Sequence, residues 1–287
     1  MGSFSKIEWT DATWTPIRAR NLETGKTGWH CQHVSPGCEH CYSETLNRRI
    51  GSGLAFKPGH IKDVDVFLDA KMLAAPLRWR APRRIFVCSM TDLFGEWVPD
   101  EWIDDIFAVM ISQPQHQFQV LTKRPERMRR YVHRLYEALA LADEELKCPA
   151  PNIWLGVSVE NQARADERIP LLLETPAAVR FISAEPLLGP LDLLHRESCG
   201  DCDPCYGGRP DQCAVGSYFV GLLGGLSWVI VGGESGPGKR PVDLAWLRSI
   251  RDQCLAAGVP LFVKQIDKRI PIPDDLMIRQ WPKGIEQ

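Results

Sequence analysis

From residue 83 onward the chain alternates short apolar, β-branched runs with longer stretches whose apolar residues recur at helical spacing. The runs are Arg84–Ser89, Gln117–Thr122, Asn152–Ser158, Val179–Ser183, Ser227–Val231 and Pro260–Lys264. Their length and composition predict buried strands. Between them, Asp100–Ser112, Arg124–Leu139, Gln162–Glu174 and Asp243–Ala257 predict amphipathic helices. A strand followed by a helix at intervals of about 30 residues is the signature of repeated βαβ units on a parallel sheet. Right-handed crossovers at that regularity favour a curved sheet, so the expected fold is α/β, a partial (βα)6-type TIM barrel formed by residues 1–287 as a single domain. Upstream, the Trp- and Thr-rich stretch Ile7–Ile17 predicts a first strand, residues 18–28 a polar surface hairpin, and Ser43–Ile50 a helix.

The interval between Val179 and Ser227 is too long for one crossover. The excess is an inserted cysteine-rich loop, residues 190–226, in which Cys199, Cys202, Cys205 and Cys213 stand among Gly, Pro and Asp. Four thiols can close the shell of a structural zinc; the close spacing of the first three also suits an auxiliary iron-sulfur cluster, and free thiols are the third reading. The chain holds ten cysteines, and its start lacks the apolar core of a signal peptide. A cytoplasmic location is therefore expected, with thiols serving metals rather than disulfides. Hydrophobic residues make up 44% and charged residues 24%, as in water-soluble domains, and the formal charge of −2 gives no general pull toward nucleic acid.

Candidate chemistry is concentrated in Cys31-Gln-His-Val-Ser-Pro-Gly-Cys38-Glu-His-Cys41-Tyr42. Thiolates select zinc, copper(I) or iron-sulfur clusters. A structural zinc site normally collects four protein ligands. Three cysteines on one turn-containing loop instead suit a [4Fe-4S] cluster that keeps one iron open to a small molecule.

A second concentration lies at the strand ends. Ser89 and Asp92, Lys123, Ser158 and Glu160, Ser183 and Glu185, then Gly232, Gly233 and Glu234 each follow a predicted strand. In α/β barrels the loops after the strands converge on one face, where function is built. Helix capping explains Asp92 or Asn161 taken singly, but not the whole set.

Seven blocks carry a resemblance over nearly the whole chain: Trp9–Trp14, Val34–Tyr42, Phe86–Phe94, Val120–Arg127, Gly156–Asn161, Glu185–Gly189 and Val231–Gly236. Together they resemble the phage- and prophage-associated "three-Cys-motif" family of radical SAM proteins. Radical SAM proteins usually carry C-x3-C-x2-C; the second gap here matches and the first is longer. The resemblance implies a [4Fe-4S] cluster on Cys31, Cys38 and Cys41, with S-adenosylmethionine on the open iron. It further implies reductive cleavage to a 5′-deoxyadenosyl radical that takes hydrogen from a substrate. His40 falls where such proteins often place an aromatic residue beside the adenine, next to Tyr42. Ser89, Asp92, Lys123, Ser158 and Glu160 are candidates for the cosubstrate's charged and hydroxyl groups, with Glu185, Gly232, Gly233 and Glu234 lining the same pocket. No catalytic base is assigned.

Two basic runs, Arg78–Arg84 and Lys123–Arg130 with Arg134, mix guanidiniums with aromatic or apolar residues. They suit phosphate contacts and base stacking, or a solvated helix face with ordinary ion pairs. The Lys after the third strand and the Arg168-Ile-Pro helix are loosely similar to spore photoproduct lyase. Nucleic-acid or nucleotide modification is therefore the expected substrate class, with a flavodoxin- or ferredoxin-type electron donor and a three-Cys-motif partner protein as the implied partners. The alternative is a non-enzymatic, zinc-binding nucleic-acid or protein adaptor on the same barrel.

Overall fold

The computed structural model describes residues 5, 7–142, 147–194, 221–236, 238–267 and 270–282. Its centre is a seven-stranded, all-parallel sheet curled into a half-barrel. The strands run in the order β1 (Ala12–Trp14), β5 (Arg84–Val87), β6 (Gln117–Thr122), β7 (Ile153–Ser158), β8 (Val179–Ala184), β9 (Trp228–Gly232) and β10 (Leu261–Gln265). Each strand lies beside the next of these in sequence. The winding therefore never reverses as it does in a doubly wound sheet, and all the strand ends point to one face.

Helices α3 (Asp100–Ile111), α4 (Pro125–Ala142), α5 (Gln162–Glu174) and α6 (Leu244–Ala257) make the crossovers from β5, β6, β7 and β9. Strand β6 and helix α5 occupy the spans expected from the hydrophobic pattern. The sheet has one strand more than a six-strand barrel, because the lead-in contributes β1. That lead-in is shorter than Ile7–Ile17: Pro16 interrupts it, and the chain resumes as β2 (Ile17–Asn21) in a different sheet. There β2 pairs antiparallel with β3 (Thr27–Gly28), which confirms the hairpin, and with β4 (Val64–Leu68). Helix α1 (Tyr42–Ile50) and the short α2 (Ala70–Leu73) complete the long connection from β1 to β5.

The two faces of the large sheet bury different side chains. Ile85, Val87, Phe118, Val120, Leu155, Ile182, Val229 and Val263 pack with helix residues such as Phe107, Met128, Ile169 and Leu247. The alternate positions Phe86, Trp154, Phe181, Trp228 and Phe262 face away from the helices and cluster with Trp9, as the two-residue period of a strand requires. Past β10, the chain runs antiparallel along that edge strand: Val263 N–H donates to Ile278 O at 2.9 Å, and Gln280 N–H to Leu261 O at 2.9 Å. The edge is thereby covered. Cys199, Cys202, Cys205 and Cys213 lie outside the described residues. Among the described residues, no helix is long and apolar enough to cross a membrane.

Candidate functional site

The cysteine loop sits across the C-terminal ends of the parallel strands. Pro36–Cys38 forms a single 3-10 turn, and Cys41 immediately precedes α1. The loop is closed at its neck by Asn47, which is fully buried. Its Oδ1 accepts from Trp29 N–H at 2.9 Å and from Ser52 N–H at 3.1 Å, while its Nδ2 donates to Ser52 Oγ and Leu54 O, both at 2.9 Å. The long gap between Cys31 and Cys38 is held in part by His33. Its backbone N–H donates to Phe56 O, and its ring lies 2.7 Å from Glu44.

Three strand ends grip this loop. After β5, Cys88 adopts a left-handed backbone with φ 54°, uncommon for a residue with a side chain. Ser89 O, just beyond it, accepts from Tyr42 Oη at 2.8 Å and Ser43 Oγ at 3.0 Å. After β7, Glu160 Oε1 accepts from Gly37 N–H at 3.2 Å, and its Oε2 lies 3.1 Å from Arg168 Nη1. After β9, Glu234 is held by Arg240, whose backbone N–H, Nε and Nη2 donate to it at 2.8, 3.0 and 2.6 Å. Arg240 also reaches Glu39 at 2.9 Å and Pro36 O at 3.0 Å.

Electrostatics follow from these contacts. Burial alone would raise the Glu160 carboxyl, but the Ser35 hydroxyl, Arg168, Lys123 and the Gly37 N–H together hold it below its ordinary value. Glu234 is likewise pushed up by burial and brought below its ordinary value chiefly by Arg240. The Cys31 thiol is pushed well up by burial and by the Asp92 carboxylate, with Arg124 opposing and both Cys41 and Cys38 adding to the rise. Among the described residues, no three His, Cys, Asp or Glu side chains converge on the position of a single metal ion.

The candidate residues fall into two groups. Asp92, Ser158, Glu160 and Glu234 are buried and engaged by the protein itself. Asp92 accepts from Thr122 Oγ1 at 2.6 Å, Phe94 N–H and Lys123 N–H at 3.0 Å each, and Arg124 at 3.2 Å, tying β5 to β6. Ser158 O accepts from Arg168 at 2.8 Å. Glu185 is more open: its side chain is 15% exposed, against 1% for Glu160 and 5% for Glu234, and it meets Lys264 Nζ at 2.7 Å and Gln265 Nε2 at 3.1 Å. His40 packs near Gly238 in the loop after β9, where a side-chain carbon would come 3.6 Å from its ring. Gly232 ends β9, and Gly233 lets β10 approach closely: a Cβ there would stand 2.0 Å from Ile266 O.

Arg168, Arg240 and Glu39 are site residues that the motif blocks did not single out. The basic runs also separate. Arg78–Arg84 leads into β5 and includes its first residue, at the end of the sheet opposite the cysteine loop. On α4, Arg127 and Arg134 pair with Asp100, and Arg129 with Glu126 and Glu174, so most of that run forms a self-neutralised helix face.

Fold and site together define an α/β half-barrel protein with a three-cysteine loop over the C-terminal ends of its strands. The chain belongs to the family described as a protein of unknown function (DUF5131), whose model matches residues 4–274. No curated protein and no solved structure matches it.

Proposed function

We propose that this protein is a radical SAM enzyme with Cys31, Cys38 and Cys41 as ligands of a [4Fe-4S] cluster. The observation that carries the reading is the placement of these thiols on one pinned loop above the converging strand ends, where α/β barrels build their active sites. The donor set fits the group in kind: Cys31, Cys38 and Cys41 are free thiols on one loop, and thiolates are the ligands iron-sulfur clusters take. When bound, the cluster and S-adenosylmethionine supply an electron and a carbon-centred radical able to remove hydrogen from a substrate.

The chain's own residues hold and orient. Glu185 and Lys264, the more open charged pair at the strand ends, are suited to the ammonium and carboxylate of the cosubstrate, and Tyr42 and His40 flank the third cysteine. Ser89, Asp92, Ser158, Glu160 and Glu234 frame the strand-end face through the bonds described above, with Lys123 beside Asp92 and Glu160. Electrons come from a flavodoxin- or ferredoxin-type donor. A nucleic-acid or nucleotide substrate rests on the resemblance alone, since the basic runs lie away from the strand ends or are neutralised by carboxylates.

The test is anaerobic reconstitution with iron and sulfide, followed by dithionite and S-adenosylmethionine. A brown protein that releases 5′-deoxyadenosine is expected. A colourless protein that retains zinc and takes up no iron overturns the reading in favour of an adaptor.

A further inference from the structure

The radical SAM reading assigns the ligands but not what keeps a cysteine loop with a lengthened first gap in shape. We infer that Glu160 and Arg240 are positioning residues: they clamp the two flanks of the 36–39 turn and hold Cys38 and Cys41 ready for a metal cluster before it arrives. The role of the thiols as cluster ligands rests on the proposed function; the clamping does not.

The Glu160 clamp is built from the core outward. Arg168 and Glu160 are each 1% exposed, and Arg168 is further fixed by Ser158 O at 2.8 Å. Such a pair contributes little net stability, because each charge has lost its water, but it sets the position of whatever else it bonds. What it bonds is the cysteine loop, through the Gly37 N–H at 3.2 Å. Contact is close: a Cβ on Gly37 would lie 3.1 Å from Glu160 Cδ and 3.3 Å from Oε1. A methyl group there would crowd the Glu160 carboxylate, so the turn and its anchor must separate by a few tenths of an ångström. Each Glu160 oxygen thus has a protein partner, Gly37 on one side and Arg168 on the other.

Arg240 grips the other flank. Its guanidinium is shared between Glu234, which is 5% exposed and fixed at the end of β9, and the loop groups Pro36 O and Glu39. One cation therefore links a rigid strand end to the residue after Cys38. The two clamps descend from β7 and β9 and meet the same turn from different strands.

The experiment measures the alkylation rate of each cysteine in the reduced, metal-free full-length chain by mass spectrometry, with buried Cys254 as the internal reference. Gly37→Ala tests the Glu160 clamp while keeping both charges of the buried ion pair, and Arg240→Gln tests the other. Each variant is expected to accelerate alkylation of Cys38 relative to Cys254 by about tenfold or more, the factor equivalent to ~1.4 kcal/mol and within the worth of a charge-assisted hydrogen bond. Circular dichroism should stay unchanged. Arg240→Lys, which keeps the charge, should restore part of the protection. An acceleration below about tenfold in a folded variant overturns the clamp that variant tests; so does unfolding of Gly37→Ala or Arg240→Gln, which would make the residue a determinant of the whole fold. If the parent chain takes up no iron, the proposed function fails, while the alkylation comparison still decides the clamps.

Discussion

The two ends of the same curled sheet are built on opposite principles. At the end where the strands begin, the face turned away from the helices is filled with rings. Trp228 alone lies within 6.3 Å, centroid to centroid, of Trp9, Trp154, Phe181, Phe262 and Trp281. The end where the strands finish carries Glu185 paired with Lys264, Glu160 bonded to the cysteine loop, and Glu234 joined to that loop through Arg240. Rings at the first end form a plug whose worth is burial, at ~25 cal/mol per Å² of apolar surface removed from water. Paired charges at the other give little net stability but fix positions.

Substitutions of equal size should therefore have unlike consequences at the two ends. The largest effect belongs to Cys38→Ser: under the proposed function it should abolish iron loading and 5′-deoxyadenosine release, yet shift the melting of the metal-free chain by no more than ~0.5 kcal/mol. Parallel metal analysis and denaturant unfolding will show whether function and stability separate in this way. Trp228→Ala should do the reverse. Loss of a fully buried ring costs about 3–5 kcal/mol, read as a fall in the urea midpoint. Were the two variants equally destabilised, the contrast between the ends would not stand.

Arg168→Met comes next and tests the charged end by itself. Leaving Glu160 buried without its cation should cost about 3–5 kcal/mol, whereas Arg248→Met, which breaks a solvent-exposed pair with Asp275, should leave the urea midpoint essentially where it was. Equal costs would mean that the buried pair is not isolated from water. The smallest effect is at the opposite end, at Asp11, where burial pushes the carboxyl up but hydrogen bonds and charge from Arg84 hold it below its ordinary value of 3.8. Because the folded value is the lower one, the stabilisation is present above pH 3.8 and fades as pH falls through the lowered value. Asp11→Asn should remove that acid-limb dependence and cost at most ~1 kcal/mol at neutral pH, since the pair is about a third exposed.

Much of the fold was legible because strands and helices write their periods locally. Gln117–Thr122 and Gln162–Glu174 carry uninterrupted patterns bounded by clear breaks, and both spans hold in the structure. The small sheet was not legible in full, since β4 pairs with β2 across the entire cysteine loop and nothing near Val64 announces that partner. At the site, the thiols and polar strand ends were visible as residue types. Their state was not. Glu160 and Glu234 read as open carboxylates until Arg168 and Arg240 are seen to neutralise them, and Glu39 and Arg240 are separated by 201 positions. A helix arginine paired to a strand end leaves no local trace; the Arg168-Ile-Pro run marked the helix without disclosing its partner.

Asn47 has a consequence for how anything could reach the thiols. Because one amide stitches Trp29 to Ser52, the span carrying all three cysteines is a noose already drawn tight at its base. Under the proposed function, a cluster would be set down on this closed span from the solvent side, where Cys31, Cys38 and Cys41 are all partly exposed.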